Sequence, residues 1–390
     1  MHNTYMTHTR PWLVFADDWG RHPSSCQHLV RELLPHISIT WVNTIGTRPP
    51  RLDWGTLRRV GGKLKSWIGP KKTIAESQAH AGFSPNIISP KMWPSFKSSS
   101  GRNLNKKLLL RALKPIVDAM PEAPNIVTTL PLVADLIGSL RAHRWVYYCV
   151  DDFSVWPGYD GETMLKMEHD LAPKCDAIIA VSETLCKKSE IYHKPLHLLT
   201  HGVNLAHWRQ TSTIQKPAEL ASLETPLIVY WGVIDRRTDT SFVQHLSETL
   251  SAGTILFVGP KEDPDPALFA LPHVKWLPPW PFARLPELAA AADVLIAPYA
   301  DMPATRAMQP LKLKEYLATG KPVVVRQLPA TQEWSDCADL AENPKDFAEA
   351  VLTRIQSGLP QEQVISRQRL DAESWTGKAK LFEDWVKGAE

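Results

Sequence analysis

The 390-residue sequence has no apolar run near the ~20 residues that a bilayer-spanning helix needs, so the chain is expected to be soluble or at most peripheral to a membrane. Its five cysteines, Cys26, Cys149, Cys175, Cys186 and Cys337, are odd in number, scattered and without a Cys-x-x-Cys pair. That pattern argues against a disulfide framework and against a zinc site, and it predicts reduced, mostly buried thiols. Met1 to Arg10 is polar and lacks the apolar core of roughly 7–15 residues that a secretory signal carries, so the cytoplasm is the expected compartment. No coiled-coil heptads appear, and nothing in the pattern dictates an oligomer.

What is present is ordinary globular composition, 44% hydrophobic and 22% charged. A chain of 390 residues exceeds what one hydrophobic core serves, which predicts two domains of roughly 150–200 residues each. Short apolar runs alternate with amphipathic stretches along nearly the whole length, the signature of parallel sheets wrapped by helices, hence α/β. Strands are expected at Trp12–Ala16, Ile37–Val42, Asn86–Ser89, Ile126–Thr129, Trp145–Val150, Ala177–Val181 and Leu196–Leu199. The second half repeats the alternation at Leu227–Trp231, Thr254–Val258, Val274–Leu277, Val294–Ala297 and Pro322–Val325. The expected organisation is a first domain over 1–205, a second over 206–375, and a helix over 376–390 packing back on the first, with the hinge near His201–Trp208.

The net charge of +3 conceals an asymmetry: from Arg48 to Lys114 fifteen Lys or Arg face only two acids, Asp53 and Glu76. Trp54, Trp67 and Trp93 interleave with them, and Trp54–Ile68 reads as an interfacial helix weakened by paired glycines. Anionic lipid headgroups suit such a face better than nucleic acid, since no nucleic-acid module accompanies the charge; a plain solvated face is the third reading.

In an open parallel sheet, ligands sit beyond the carboxyl ends of the strands. Five expected turns there are chemically loaded: Asp17 to Ser25, Asp151-Asp152-Phe153, Thr200-His201-Gly202, Gly232 to Asp239, and Gly259-Pro260. Pro310 suits a first helical turn, Lys312 and Glu315 lie three apart on one face, Gly320 stops the helix, and an apolar strand follows. A helix N-terminus and Lys312 would hold a pyrophosphate, and Glu315 would accept hydrogen bonds from ribose hydroxyls. The plainer reading is a surface helix with an ion pair. Arg237, ahead of Arg236, is the preferred further phosphate ligand, the alternative being pairing of both arginines with Asp235 and Asp239. Gly232 would let a phosphate approach the backbone. Asp151 or Asp152 is the expected proton acceptor, with His22 second.

These residues together resemble bacterial glycosyltransferases of the two-Rossmann-domain (GT-B) type, in the group 1 and family 4 circle, near the teichuronic-acid and exopolysaccharide transferases. The likeness rests on Asp18-Trp-Gly-Arg-His-Pro-Ser-Ser25, Val150-Asp-Asp-Phe153, Cys175 to Ser182, His201-Gly-Val-Asn204, Gly232 to Arg237 and Pro310 to Val324. It implies two doubly wound domains facing across a cleft, and hexosyl transfer from a nucleotide-diphosphate donor, a UDP-sugar foremost, without cofactor or metal. The implied donor site is Gly232, Arg237, Gly259, Pro310, Leu311, Lys312 and Glu315, with Glu315 matching the second glutamate of the family's two-glutamate motif. The position of the first holds Ala307, which leaves the transferred sugar open. Asp18, Arg21 and Ser24 are the implied acceptor-binding residues. An inverting enzyme would use Asp151 or Asp152 as base; a retaining one would rely on the leaving phosphate. The expected setting is exopolysaccharide or other surface-glycan synthesis on a lipid-linked or oligosaccharide acceptor at the inner membrane face. A nucleotide-sugar epimerase and a non-catalytic sugar-nucleotide-binding scaffold are the alternatives.

Overall fold

The computed structural model describes residues 9–21, 23–44, 83–210 and 217–389. His22 and the expected interfacial helix over Trp54–Ile68 lie outside them. The chain forms two compact units: the first comprises Met1–Ile179, Ser189–His197 and Glu383–Glu390, the second Ala180–Lys188 and Leu198–Phe382.

The first unit is built on a parallel sheet of β1 (Trp12–Ala16), β2 (Ile39–Asn43), β3 (Asn86–Ile88), β4 (Asn125–Thr128), β5 (Arg144–Cys149), β6 (Ala177–Ala180) and β7 (Leu196–Leu198). Its order is β3-β2-β1-β4-β5-β6-β7. The second unit carries β8 (Leu227–Trp231), β9 (Thr254–Val258), β10 (Val274–Leu277), β11 (Val294–Ala297), β12 (Val323–Arg326) and β13 (Asp339–Ala341), in the order β10-β9-β8-β11-β12-β13. Both sheets are doubly wound, with the order reversing between β1 and β4 and between β8 and β11. The α/β expectation holds.

Central strands such as Trp12–Ala16 and Leu227–Trp231 are buried along their whole length, as strands covered on both faces must be. Helix starts follow from capping: Ser24 accepts from the Gln27 N–H, Ser98 from Gly101, and Asn343 from Asp346, each satisfying an amide that the helix leaves open. The helix Leu311–Ala318 ends where Gly320 takes φ +73°, a left-handed conformation that glycine adopts without Cβ strain. On one face of β8, Ile228 and Tyr230 join a core with Phe242 and Phe347, whose rings meet edge to face at 5.3 Å.

Two expectations shift. The second strand starts at Ile39 rather than Ile37, because Ile37 is used by the preceding turn, its amide donating to the Leu33 carbonyl at 2.9 Å. Edge strand β13 is an addition: only three residues long and opening on an aspartate, it carries too little apolar pattern to stand out.

Candidate active site

The reversal between β8 and β11 places Gly232, just after β8, near Tyr299, just after β11, with the helix Leu311–Ala318 supplying Lys312 and Glu315. The Lys312 ammonium donates to the Tyr230 hydroxyl at 2.8 Å, and that hydroxyl donates onward to the Val233 carbonyl at 2.8 Å. The ammonium also lies 4.2 Å from the centroid of the Tyr230 ring and 5.7 Å from that of Tyr299, within cation–π range. Gly232 has φ +129°, and a Cβ there would stand 2.4 Å from the Lys312 nitrogen. The space that a side chain would fill at this glycine is occupied by the lysine's charge.

Lys312 is poised between charge states. Burial pulls its pKa from 10.5 to about 7, helped by the nearby Arg237 charge, while Asp235 and Glu315 pull the other way. Burial likewise pushes Glu315 from 4.5 up to about 7, with the Lys312 charge and the adjacent Trp231 indole opposing it. The Trp231 indole nitrogen is buried next to that carboxylate. Lys312 and Glu315 are therefore not the exposed ion pair of the plainer reading. Each is partly buried, where its charge is costly until a complementary ligand arrives.

The surrounding shell is tightly fixed. Gly259 has φ +152°, and a Cβ there would fall 1.9 Å from the Gly232 carbonyl oxygen, so glycine is required by backbone against backbone. Arg237 is chelated by Asp235, with contacts of 2.7–3.1 Å, the alternative that its near neighbours allowed. Arg236 goes instead to Asp263, at 3.6 Å and exposed, while Asp239 caps the helix Thr240–Thr249 and pairs with Arg326. Pro310 stands at the N-cap of the helix whose first residue is Leu311. Behind that helix Lys314, 1% exposed, bonds to Glu373 at 2.5 Å and to the His201 carbonyl at 2.6 Å. Trp231 stacks on Trp208 at 5.4 Å and meets the edge of Tyr316 at 4.3 Å. The turn Thr200-His201-Gly202, expected at a ligand, is bound into the fold instead: a Cβ on Gly202 would lie 2.8 Å from Trp375.

In the first unit the turn after β1 is organised by Asp17. The Asp17 carboxylate accepts from Ser24 at 3.2 Å and from Gln27 at 2.9 Å, and its carbonyl accepts from the Trp41 indole at 2.9 Å. Burial pushes its pKa from 3.8 to about 6 against those hydrogen bonds. Ser24 is occupied as a cap and as a donor to Asp17, while Asp18 and Arg21 form a loose exposed pair at 3.6 Å. After β5, Asp152 accepts from the Ser154 amide at 3.1 Å and hydroxyl at 2.5 Å, which makes it the turn-forming member of the Asp151-Asp152 pair. Tyr230, Trp231 and Tyr299 line the recess without any mark in the sequence, whereas Asp17 and Asp235 lie in turns that the sequence singled out without assigning them a ligand.

Two doubly wound units with a charged, glycine-lined recess at a sheet reversal define the class, and comparison agrees with it. Residues 225–357, within the second unit, match the family model of glycosyl transferases group 1. The fold is that of the GT-B glycosyltransferases. Among individual proteins, the chain is 28% identical over 168 residues to a protein of Bacillus subtilis (strain 168) provisionally named a teichuronic acid biosynthesis glycosyltransferase, TuaH. That match spans 41% of this chain and 42% of the relative, less than half of its length. Sucrose-phosphate synthase from Thermosynechococcus elongatus superposes with a TM-score of 0.68 at 15% identity, covering 97% of this chain and 98% of the other. Anabaena HepE, solved with UDP-glucose, gives 0.65 at 12% identity, covering 97% and 100%.

Proposed function

We propose that this chain transfers a hexose from a nucleotide-diphosphate donor, a UDP-sugar, to a lipid-linked or oligosaccharide acceptor in surface-polysaccharide synthesis at the inner face of the membrane. The observation that carries the donor half is Lys312: an ammonium held over the Gly232 backbone, partly neutralised by burial, at the sheet reversal where doubly wound domains take their ligands. A diphosphate there restores the lysine's charge and recovers what burial costs it. The same gain grows as negative charge builds on the leaving diphosphate, which is how such a group accelerates transfer. Glu315 accepts from the ribose hydroxyls, and the amides at Leu311 and Lys312 face the diphosphate. Arg237, locked to Asp235, contributes field and rigidity to the recess more than a freely swinging fork.

The acceptor half is assigned to the turns after β1 and β5, where Asp17, Asp18 and Asp151 supply carboxylates. Asp17, with its pKa near 6, is the group best tuned to exchange a proton near neutral pH. The relative's printed role in teichuronic acid biosynthesis supports a surface-glycan setting. Thermal unfolding against a panel of nucleoside diphosphates and nucleotide sugars tests the donor assignment: a rise with one nucleotide sugar, lost in Glu315→Ala, supports it. No rise with any of them would leave the site without its ligand. Sugar transfer to an acceptor, rather than isomerisation of the donor alone, separates the transferase from the epimerase.

A further inference from the structure

Two tyrosines flank Lys312, and their hydroxyls are employed differently. That of Tyr230, in β8, is engaged on both sides, accepting from Lys312 and donating to the Val233 carbonyl, each at 2.8 Å. Tyr299, 5% exposed, stands two residues beyond β11, with the Lys312 ammonium 5.7 Å from its ring centroid. Among the described residues its hydroxyl has no hydrogen-bond partner. A hydroxyl nearly buried and left unpaired lowers the stability of the free protein, and such groups are rare in folded chains.

The backbone holds this tyrosine in place. On one side the Pro298 carbonyl accepts from the Asp239 amide at 2.8 Å, and on the other the Ala300 amide donates to the Arg237 carbonyl at 2.7 Å, so the residue is pinned to the turn that carries Asp235 and Arg237. Thr238 pairs with Tyr299 itself across an antiparallel bridge. Burial foremost, and then the neighbouring Tyr230, raises its pKa well above the ordinary tyrosine value against the pull of the Arg237 charge. The phenol therefore stays protonated and able to donate at any working pH. A fixed donor, unused in the free protein and beside the ammonium assigned to the diphosphate, calls for an anionic oxygen that a ligand brings.

We propose that the Tyr299 hydroxyl donates to the leaving diphosphate, which makes it a catalytic residue of the donor site. The proposal rests on the donor reading above and adds a group to it. As the bond between the anomeric carbon and the β-phosphate oxygen breaks, its electron pair stays on that oxygen; the phenol hydrogen-bonds to the oxygen and keeps its own proton. The acceptor oxygen forms the new bond to the anomeric carbon, and its proton passes to the base, for which Asp17 is proposed above. The bridging oxygen is a weak acceptor in the nucleotide sugar and an anionic one in the released diphosphate. This hydrogen bond thus strengthens along the reaction, the condition for lowering the barrier.

The test compares calorimetric binding of UDP and of UDP-glucose to the wild-type chain and to Tyr299→Phe, with thermal unfolding of the unliganded chains alongside. The variant should bind UDP about tenfold more weakly or worse, and UDP-glucose less than about threefold more weakly. Its melting temperature should be kept or slightly raised, because no hydrogen bond is lost; Tyr230→Phe, which breaks two, should lower its own. An equal loss for the two ligands, or a melting temperature lowered as far as in Tyr230→Phe, would overturn the proposal. Wild-type binding of UDP that the variant leaves unchanged removes Tyr299 and lets the donor site stand. A wild-type chain that binds neither probe removes the UDP-sugar donor reading, and the proposal with it.

Discussion

The affinity of the second unit for a nucleotide sugar should pass through a maximum near pH 7, because its two central charges titrate there in opposite senses. In the free protein Lys312 has a pKa of about 7. A diphosphate beside it moves that value back toward the ordinary 10.5, so binding above pH 7 takes up a proton and affinity falls as pH rises, by up to about tenfold per unit. Recovery of the full shift, about 3.5 units, corresponds to an upper limit of ~5 kcal/mol of differential binding between the two states of the lysine. Glu315 works the other way. Free, its pKa is about 7; accepting from ribose hydroxyls favours its charged form and lowers that value, so binding below pH 7 releases a proton and affinity falls toward acid. A nucleotide sugar is the ligand to use, because its esterified diphosphate does not itself titrate in this range. Calorimetry in buffers of different ionisation enthalpy would count the protons directly. Glu315→Gln should flatten the acid limb alone, and Lys312→Met the alkaline limb alone while weakening binding throughout. An affinity flat from pH 6 to about 8.5, or variants that leave both limbs in place, would refute the assignment of these two groups.

Other consequences are as open to measurement. Gly259→Ala should be far more destabilising than Gly232→Ala, because its Cβ meets a carbonyl oxygen at 1.9 Å whereas that of Gly232 meets the movable end of Lys312; the latter should cost about 1–3 kcal/mol in denaturant unfolding and abolish donor binding. Asp17→Asn should stabilise the protein. The folded pKa is raised from 3.8 to about 6, so wild-type stability declines as pH climbs between those values and stays reduced above them, by at most ~3 kcal/mol and more realistically ~1–2 kcal/mol. Unfolding at pH 8 should then favour the variant, and at pH 3.5 the two chains should converge. Lys314→Ala, which strands Glu373 with Lys378 alone, should lower stability by about 3 kcal/mol, shown as a reduced denaturant midpoint with an unchanged slope.

Much of this architecture is legible in the residues. Runs such as Leu227–Trp231 and Thr254–Val258 are read to the residue, since a central parallel strand must be apolar on both faces and bounded by polar turns. The Lys312 and Glu315 pair is likewise visible, because helical spacing fixes their common face. Tyr230 is not: within a continuous apolar run nothing marks which hydroxyl will reach a lysine 82 positions away. Arg237 shows the same limit from the other side, its local partner Asp235 being one of two choices that only the path of the turn decides. Asp17 does not stand out because adjacency to Asp18 makes the two look alike, while burial, set by Trp41 and Gln27 from elsewhere, is what separates them.

The unit that begins with β1 also includes Glu383–Glu390. There Glu383 meets His36 at 3.0 Å and Trp385 stacks on His197 at 4.6 Å. On the ribosome, then, the unit whose first strand is made early is among the last to be completed. While all 185 residues of Leu198–Phe382 are being made, the nascent first sheet must wait with the surface around His36 and His197 uncovered, a long interval in which a chaperone has something to hold.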